Sequence, residues 1–265
     1  MEIIFIVMSD KRDVARRQFS QHAENYRLSR THGNQATLDQ IIQFIAPDTR
    51  AIAADVGCGG GHMAVSLAKW VSDLAAIDLS PQMLTQTKIL AGQRGLSNIV
   101  GCIADAQNLP FKSEAFDIVS CRTVLHHVPD VAKAVSEMGR IVRKDGKLFI
   151  ADMVADDSVA RIYIDEFERL RDPSHIRTYG LEDWHRFFEG AGFKITRMKV
   201  TCRKSVNLKE WTDRSGTPKD KVESIVKMVQ NIPEDISKHV KVEYVDGIVY
   251  ISANATSAQF LGTKV

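Results

Sequence analysis

The sequence predicts an α/β protein built on a doubly wound, mostly parallel sheet. Three observations carry that reading. Short apolar runs alternate with helical segments, three successive runs close on an aspartate, and the first run opens through a glycine-rich turn directly into a helix. Strand–helix–strand units of this size form parallel sheets with right-handed crossovers.

Taken in order, Asp10 to Tyr26 places Ala15, Phe19, Ala23 and Tyr26 at helical spacing among basic residues, which predicts a helix ahead of the core. The preceding Met1–Met8 is apolar but too short for a signal or membrane segment, and Met8 is an alternative start. A second helix, Asn34 to Ala46, buries Leu38, Ile41, Ile42 and Ile45 and is followed by Pro47. The first strand ends at Asp55 and Val56, and Gly57, Gly59, Gly60 and Gly61 make the turn. Leu74 to Asp78 is the second strand; Ser80 as N-cap and Pro81 then start a helix with Met83, Leu84, Thr87, Leu90 and Ala91 on one face. Asn98 to Ala104 and Phe116 to Cys121 are further strands. Asp130 caps a helix carrying Val131, Val135, Met138 and Val142, and the Asp145-Gly146 turn leads into a strand from Lys147 to Met153.

The pattern loosens after Met153. A helix from Ser158 to Arg171, a polar loop from Asp172 to Tyr179, and a helix with Trp184, Phe187, Phe188 and Ala191 on one side are expected, the first two as a lid. A strand from Phe193 to Cys202 and a helix from Pro218 to Asn231 follow. Asp246-Gly247 joins Val240–Val245 to Ile248–Ala253 as a hairpin, and a separate last strand near Ala258 to Val265 closes the sheet, antiparallel to the rest. The chain thus divides into N-terminal helices that cover the site (1–50), a ligand-binding core (51–153), and lid helices, remaining strands and hairpin of the same domain (154–265).

Composition narrows the function classes. With 265 residues, 44% of them hydrophobic, and a net charge of +2, the chain can build a full core without disulfides and shows no bias toward nucleic acid or membrane insertion. Clusters such as Lys11-Arg12 and Arg16-Arg17 suit a solvated helix face. Four scattered cysteines (Cys58, Cys102, Cys121, Cys202), with no CxxC pair and no metal-ligand spacing, predict a reduced, cytoplasmic protein without a metal.

Glycines allow positive φ and close approach of a ligand to the free N–H groups of the following helix. Asp55, two positions before the first glycine, sits badly beside a pyrophosphate but suits an amino group or a sulfonium. Asp78 follows the turn at about the twenty-residue distance at which a carboxylate accepts ribose hydroxyls, and Asp105 beside Ala106 suits an adenine amino group. Helix capping is the competing explanation for each acid alone. A nicotinamide dehydrogenase shares the glycine turn and the second acid; Asp55 and the Asp105-Ala106 segment argue against it.

Here a resemblance becomes specific. Asp55-Val-Gly57-Cys-Gly59-Gly-Gly61 resembles the first motif of class I S-adenosylmethionine-dependent methyltransferases, Ala76-Ile-Asp78-Leu-Ser the segment after it, and Ala104-Asp105-Ala106-Gln-Asn-Leu-Pro110-Phe111 the second motif. Asp117 to Asp130, with His126-His127, is similar to the fourth-strand segment of the branch that contains quinone-biosynthesis C-methyltransferases, with a type 11 methyltransferase domain and a Rossmann-like sheet. The resemblance implies S-adenosyl-L-methionine as cofactor, with S-adenosyl-L-homocysteine as product. It implies that Gly57 and Gly59 hold the methionine part, that Asp55 orients it, and that Asp78 holds the ribose. Asp105 and Ala106 would take the adenine, Leu79 and Met83 the adenosine faces, Arg122 the carboxylate, and Tyr26 would fold over the cofactor or simply pack in its helix. Gly60 stands where many relatives carry threonine or a bulkier residue and is expected to loosen the turn.

His126 and His127 are candidates for a catalytic base, because histidine titrates near neutral pH; the alternative is that one packs under the sheet edge and the other caps the next helix. Asp152, His175, Arg177 and Tyr179 are candidate substrate contacts, with a surface loop as the alternative for the last three. The expectation is methyl transfer to a carbon or oxygen of a small molecule by a monomer or homodimer. A non-catalytic protein of the same fold, binding the cofactor or another nucleoside for regulation or assembly, is the alternative.

Overall fold

The computed structural model describes residues 2–265, the side chains of 2–10, 202–205 and 252–256 excepted. The elements run α1 (Glu2–Gln21), α2 (Ala23–Arg27), α3 (Gln35–Ile45), β1 (Ile52–Val56), α4 (His62–Ala68), β2 (Asp73–Asp78), α5 (Pro81–Gln93), β3 (Ile99–Ile103) and β4 (Phe116–Arg122). After a 3-10 turn at Leu125–His127 come α6 (Val131–Ile141), β5 (Val142–Met153), α7 (Ser158–Arg171), α8 (Leu181–Gly190) and β6 (Phe193–Asn207). The chain ends with α9 (Leu208–Ser215), α10 (Lys219–Gln230), α11 (Glu234–Ser237), β7 (Val240–Val245) and β8 (Ile248–Lys264).

The strands form one sheet in the order β3-β2-β1-β4-β5-β8-β6, with β7 paired to β8 beside that path. β1 to β5 are mutually parallel where they pair, and β8 runs antiparallel to both β5 and β6. This is the predicted Rossmann-like architecture. Strand periodicity sends alternate side chains to two cores. Leu148 and Ile150 of β5 join Met138, Trp184 and Phe188 on one face, whereas Phe149 and Ala151 join Ile41, Ile45 and Leu67 on the other. A third cluster, away from the site, gathers Phe167, Trp211, Ile225, Val229 and Ile251.

Side-chain caps start the helices where the sequence places them. Asn34, Ser80, Asp130 and Asp157 each accept a backbone N–H from the first turn that follows. Four expectations change. The single N-terminal helix is broken at His22, which has φ −111° and whose ring packs on Gly216. The strand expected to start at Lys147 begins at Val142, which pairs with Phe116; residues 143–146, with Asp145 at φ 62°, bulge out of the ladder, which resumes at Lys147 opposite Ile118. The strand from Phe193 runs to Asn207 rather than Cys202. The hairpin strand and the last strand are one: β8 pairs with β7 through Ala253 and with β5 from Ser257, so its ladder continues across both partners.

Candidate functional site

Consecutive parallel strands bring their carboxyl ends to one edge, and the order reverses between β1 and β4, which opens a crevice there. Asp55, Asp78 and Asp105 follow that edge. The cavity above them has about 1090 Å³ of empty space, counting the part open to solvent. It is lined by Tyr26, Asp55, Gly57, Gly59, Asp78, Leu79, Met83, Asp105, Ala106 and Arg122, all ten of the residues implied for a cofactor, and by His127. His126, Asp152, His175, Arg177 and Tyr179 do not line it.

The glycine turn is shaped for close approach. Gly57 has φ 69°, and a Cβ there would lie 2.5 Å from a Val124 methyl, so this position excludes a side chain twice over. Gly59, at φ 53°, faces open space. Its N–H donates to Asp78 Oδ2 at 2.9 Å, and Ser80 N–H donates to Asp78 Oδ1 at 2.9 Å. Gly60 departs from expectation. A Cβ there would sit 2.6 Å from the backbone nitrogen of Arg27, so the missing side chain gives room for α2 to dock on the turn instead of loosening it.

Asp55 is buried at 1% exposure; Ser120 Oγ donates to its Oδ1 at 2.7 Å, while Oδ2 has no hydrogen-bond partner among the described residues. Burial pushes its carboxyl up to about 7, against the pull of Ser120 and Arg122. Burial likewise pushes Asp78 up to about 6, opposed by the Ser80 and Gly59 amides. Arg122 is held by the His32 carbonyl, which accepts from its guanidinium at 3.0 Å, and burial lowers its pKa despite nearby Asp55. A buried carboxyl oxygen lacking a donor, in one cavity wall with a buried arginine close enough to act on it and a glycine facing open space, fits a zwitterionic amino-acid group. The third acid is different: burial would raise Asp105, but the Gln107 amide and Arg12, at 2.9 Å, outweigh it and hold it below its ordinary value.

Below the cavity lies a buried polar cluster. Asp152 accepts from the amides of Val124 and Leu125 and from His126 Nδ1 at 2.5 Å. Burial opposes the charge on His126, and Asp152 outweighs it, so the pKa of this imidazole is raised. Asp152 therefore anchors the Leu125–His127 turn, and His126 is its buried counter-ion. His175 pairs with Asp165 at 2.8 Å, and Arg177 lies over the Tyr179 ring at 5.3 Å. The loop from Asp172 packs under the turn because Ile176 and Arg177 donate their amides to the His126 carbonyl. It backs the site and does not reach over it, so the lid expectation is replaced by α1, whose Arg12, Ala15, Arg16 and Phe19 line the cavity.

Several cavity residues escaped the sequence reading. Arg12 and Arg16 belong to the basic clusters read as a solvated helix face, whereas Phe19 is on the apolar side that its helical spacing predicts. Behind the lining, Arg214 lies over the Tyr26 ring at 5.9 Å without lining the cavity itself; it belongs to α9, which was not anticipated although Leu208, Trp211, Thr212 and Ser215 follow helical spacing after the Asn207 cap.

Residues 54–150 match the family model described as a methyltransferase domain. The chain is 30% identical over 209 residues to the uncharacterized methyltransferase YcgJ of Bacillus subtilis, covering 78% of this chain and 82% of that protein. It belongs to the class I S-adenosylmethionine-dependent methyltransferases. The crystal structure of a putative methyltransferase from Bacillus halodurans superposes with a TM-score of 0.80 at 29% identity, over 86% of this chain and 99% of that one. A more partial match, 30% over 118 residues, is to the ubiquinone biosynthesis O-methyltransferase of Xylella fastidiosa, covering 44% of this chain and 48% of that protein. The methyltransferase core thus coincides with the strands and turns that build the cavity. No helix among the described residues is long and apolar enough to cross a membrane, and no group of three or more metal-ligating side chains was found among them.

Proposed function

We propose that the protein binds S-adenosyl-L-methionine in this cavity and transfers its methyl group to a carbon or oxygen nucleophile of a small molecule, in the cytoplasm. The observation that carries the reading is the buried Asp55 oxygen without a donor, set beside Arg122 and the open Gly59 backbone. Asp55 takes the positive end of the amino-acid part, and Arg122 with the Gly57 and Gly59 backbone takes its carboxylate end. Asp78 keeps lone pairs for two ribose hydroxyls beyond its two amide bonds, and Asp105 and Ala106 meet the adenine between Leu79 and Met83. Tyr26 and α1 cover the remaining face. In domain terms, residues 1–50 form the cover, 51–153 the cofactor core and 154–265 the support behind the site.

When bound, the cofactor supplies the activated methyl group, so the chain has to orient the acceptor and exclude water. Aligned contact at about 3 Å can account for roughly 7–11 kcal/mol of barrier lowering. His127, the one histidine of the pair that lines the cavity, is placed beside the acceptor; His126 and Asp152 hold it there. The loop residues His175, Arg177 and Tyr179 act through this support.

Calorimetry with S-adenosylmethionine and S-adenosylhomocysteine tests the reading. Both should bind, and Asp78→Ala should weaken S-adenosylhomocysteine at least about tenfold, the loss expected for charged hydrogen bonds. Absence of binding to either ligand rejects the proposal. Unchanged affinity in the variant rejects the ribose assignment.

A further inference from the structure

His127 lines the cavity, and the donors and acceptors around it determine which of its nitrogens carries hydrogen. Its Nδ1 lies 3.0 Å from Ser174 Oγ. Ser174 has one hydroxyl hydrogen, and its Oγ lies 2.5 Å from Asp172 Oδ1, which also accepts the Ser174 amide at 2.9 Å. An ionised carboxylate only accepts, so that hydrogen is committed to Asp172. Toward His127 the hydroxyl presents a lone pair, and Nδ1 must be the donor. A neutral imidazole has a single N–H; Nε2 therefore bears a bare lone pair, and it has no hydrogen-bond partner among the described residues.

We propose that Ser174 and Asp172 are positioning residues that fix His127 in this tautomer, and that the methyl acceptor presents a hydroxyl group that donates to His127 Nε2. The inference rests on the methyltransferase reading. It goes further by naming the acceptor's functional group, an O–H borne on an apolar or aromatic body that fits Phe19, Val124, Val128 and Pro129.

The electrostatics keep the ring neutral. Burial and the adjacent charge of His126, 4.0 Å away ring to ring, push His127 down to about 3; Asp172 and the Ser174 carbonyl oppose this, and His175 adds to it. Facing the ring from α1 is the uncharged Phe19, edge-on at 4.9 Å. For Asp172, burial works against ionisation, and His127, Arg171 and the Ser174 donors outweigh it. His127 is thus too weak a base to ionise a hydroxyl beforehand. Its task is to aim an oxygen lone pair and to receive the proton that the oxygen gives up as it is methylated. A methylated oxonium is a far stronger acid than an imidazolium, so this transfer is downhill. Charge balances because the carbon–sulfur electron pair stays on sulfur, whose positive charge is lost as the imidazolium forms; the proton then leaves to water.

The test is long-range ¹⁵N–¹H NMR of the histidine rings in the full-length protein without cofactor. We expect His127 to show a protonated Nδ1 and an unprotonated Nε2 throughout pH 6–8. Ser174→Ala should mix the two tautomers, and Ser174→Thr should restore one. Adding phenol should shift the Nε2 resonance, whereas anisole, which lacks the donor, should not. A protonated Nε2 or an imidazolium in the wild type overturns the tautomer assignment, even if Ser174→Ala fails to fold. An equal response to anisole, or none to phenol, overturns the hydroxyl assignment. S-adenosylhomocysteine should bind Ser174→Ala within twofold of wild type. Its failure to bind wild type that shows the expected tautomer would sink the methyltransferase reading instead.

Discussion

Asp55 and Asp78 sit in the cavity wall with carboxyl groups raised to about 7 and about 6 by burial, above an unfolded value of about 3.9. Between those values the native state binds more protons than the unfolded chain. Their contribution to stability is complete below about pH 4 and is lost as pH rises through 6 and 7. His32, His62 and His127 are lowered and act in the opposite direction below about pH 6.5, so the wild-type profile alone mixes the two. Comparison with Asp55→Asn isolates one carboxyl. Relative to wild type, the melting temperature of the variant should rise by several degrees between pH 5 and pH 7.5; a constant difference would contradict the raised carboxyl. A bound ammonium favours the charged form of Asp55, and S-adenosylmethionine and S-adenosylhomocysteine both carry one, so calorimetric affinity for each should increase from pH 6 to pH 8; an affinity that stays flat over that range would contradict the pairing.

At the scale of elements, the site is made where α1 and α2 meet the glycine turn. The backbone of Tyr26 and Arg27 lies where a side chain on residue 60 would be, and the Tyr26 carbonyl is 3.2 Å from His62 Nε2. Gly60→Thr should push α2 off the turn. The expected signs are faster proteolysis between residues 22 and 33 and S-adenosylhomocysteine binding weakened by at least tenfold; unchanged protection would mean that the segment relaxes without undocking. The Arg12–Asp105 pair also ties α1 down, but it is largely exposed and screened, so Arg12→Ala should cost about 0.5 kcal/mol or less in a denaturant titration. The strand ends and caps of the core were legible because local rules govern them: a residue such as Ser80 caps its own helix. The docking of Arg12 and Arg16 on the cavity and of Arg214 on Tyr26 was not, because each contact spans a long sequence separation that local spacing does not record. His126 and His127 illustrate the same limit. The sequence marked the pair, while only the fold separates the buried partner of Asp152 from the cavity residue.

For the whole molecule, stability should depend most on the face of the sheet opposite the α3–α4 layer. Trp184 is fully buried, with Phe260 at 5.7 Å between ring centroids and Tyr179 and Phe187 around it. Trp184→Ala should cost about 3–5 kcal/mol in chemical denaturation while leaving the cavity lining unchanged; a loss below about 1 kcal/mol would show that the cluster repacks. The extended β6 and β8 were the least legible part, because the interruption in β8 falls where it passes from β7 to β5, and those in β6 are register shifts against the same partner, not strand ends. That arrangement bears on the order of events during synthesis. β8 fills the slot between β5 and β6, so those two strands have no hydrogen-bonded neighbour across that gap until residue 264 has left the ribosome. The edge of β5 is then exposed for the time needed to translate more than a hundred residues, at roughly 5–20 residues per second. Nascent chains halted before β8 should therefore be the ones that chaperones retain.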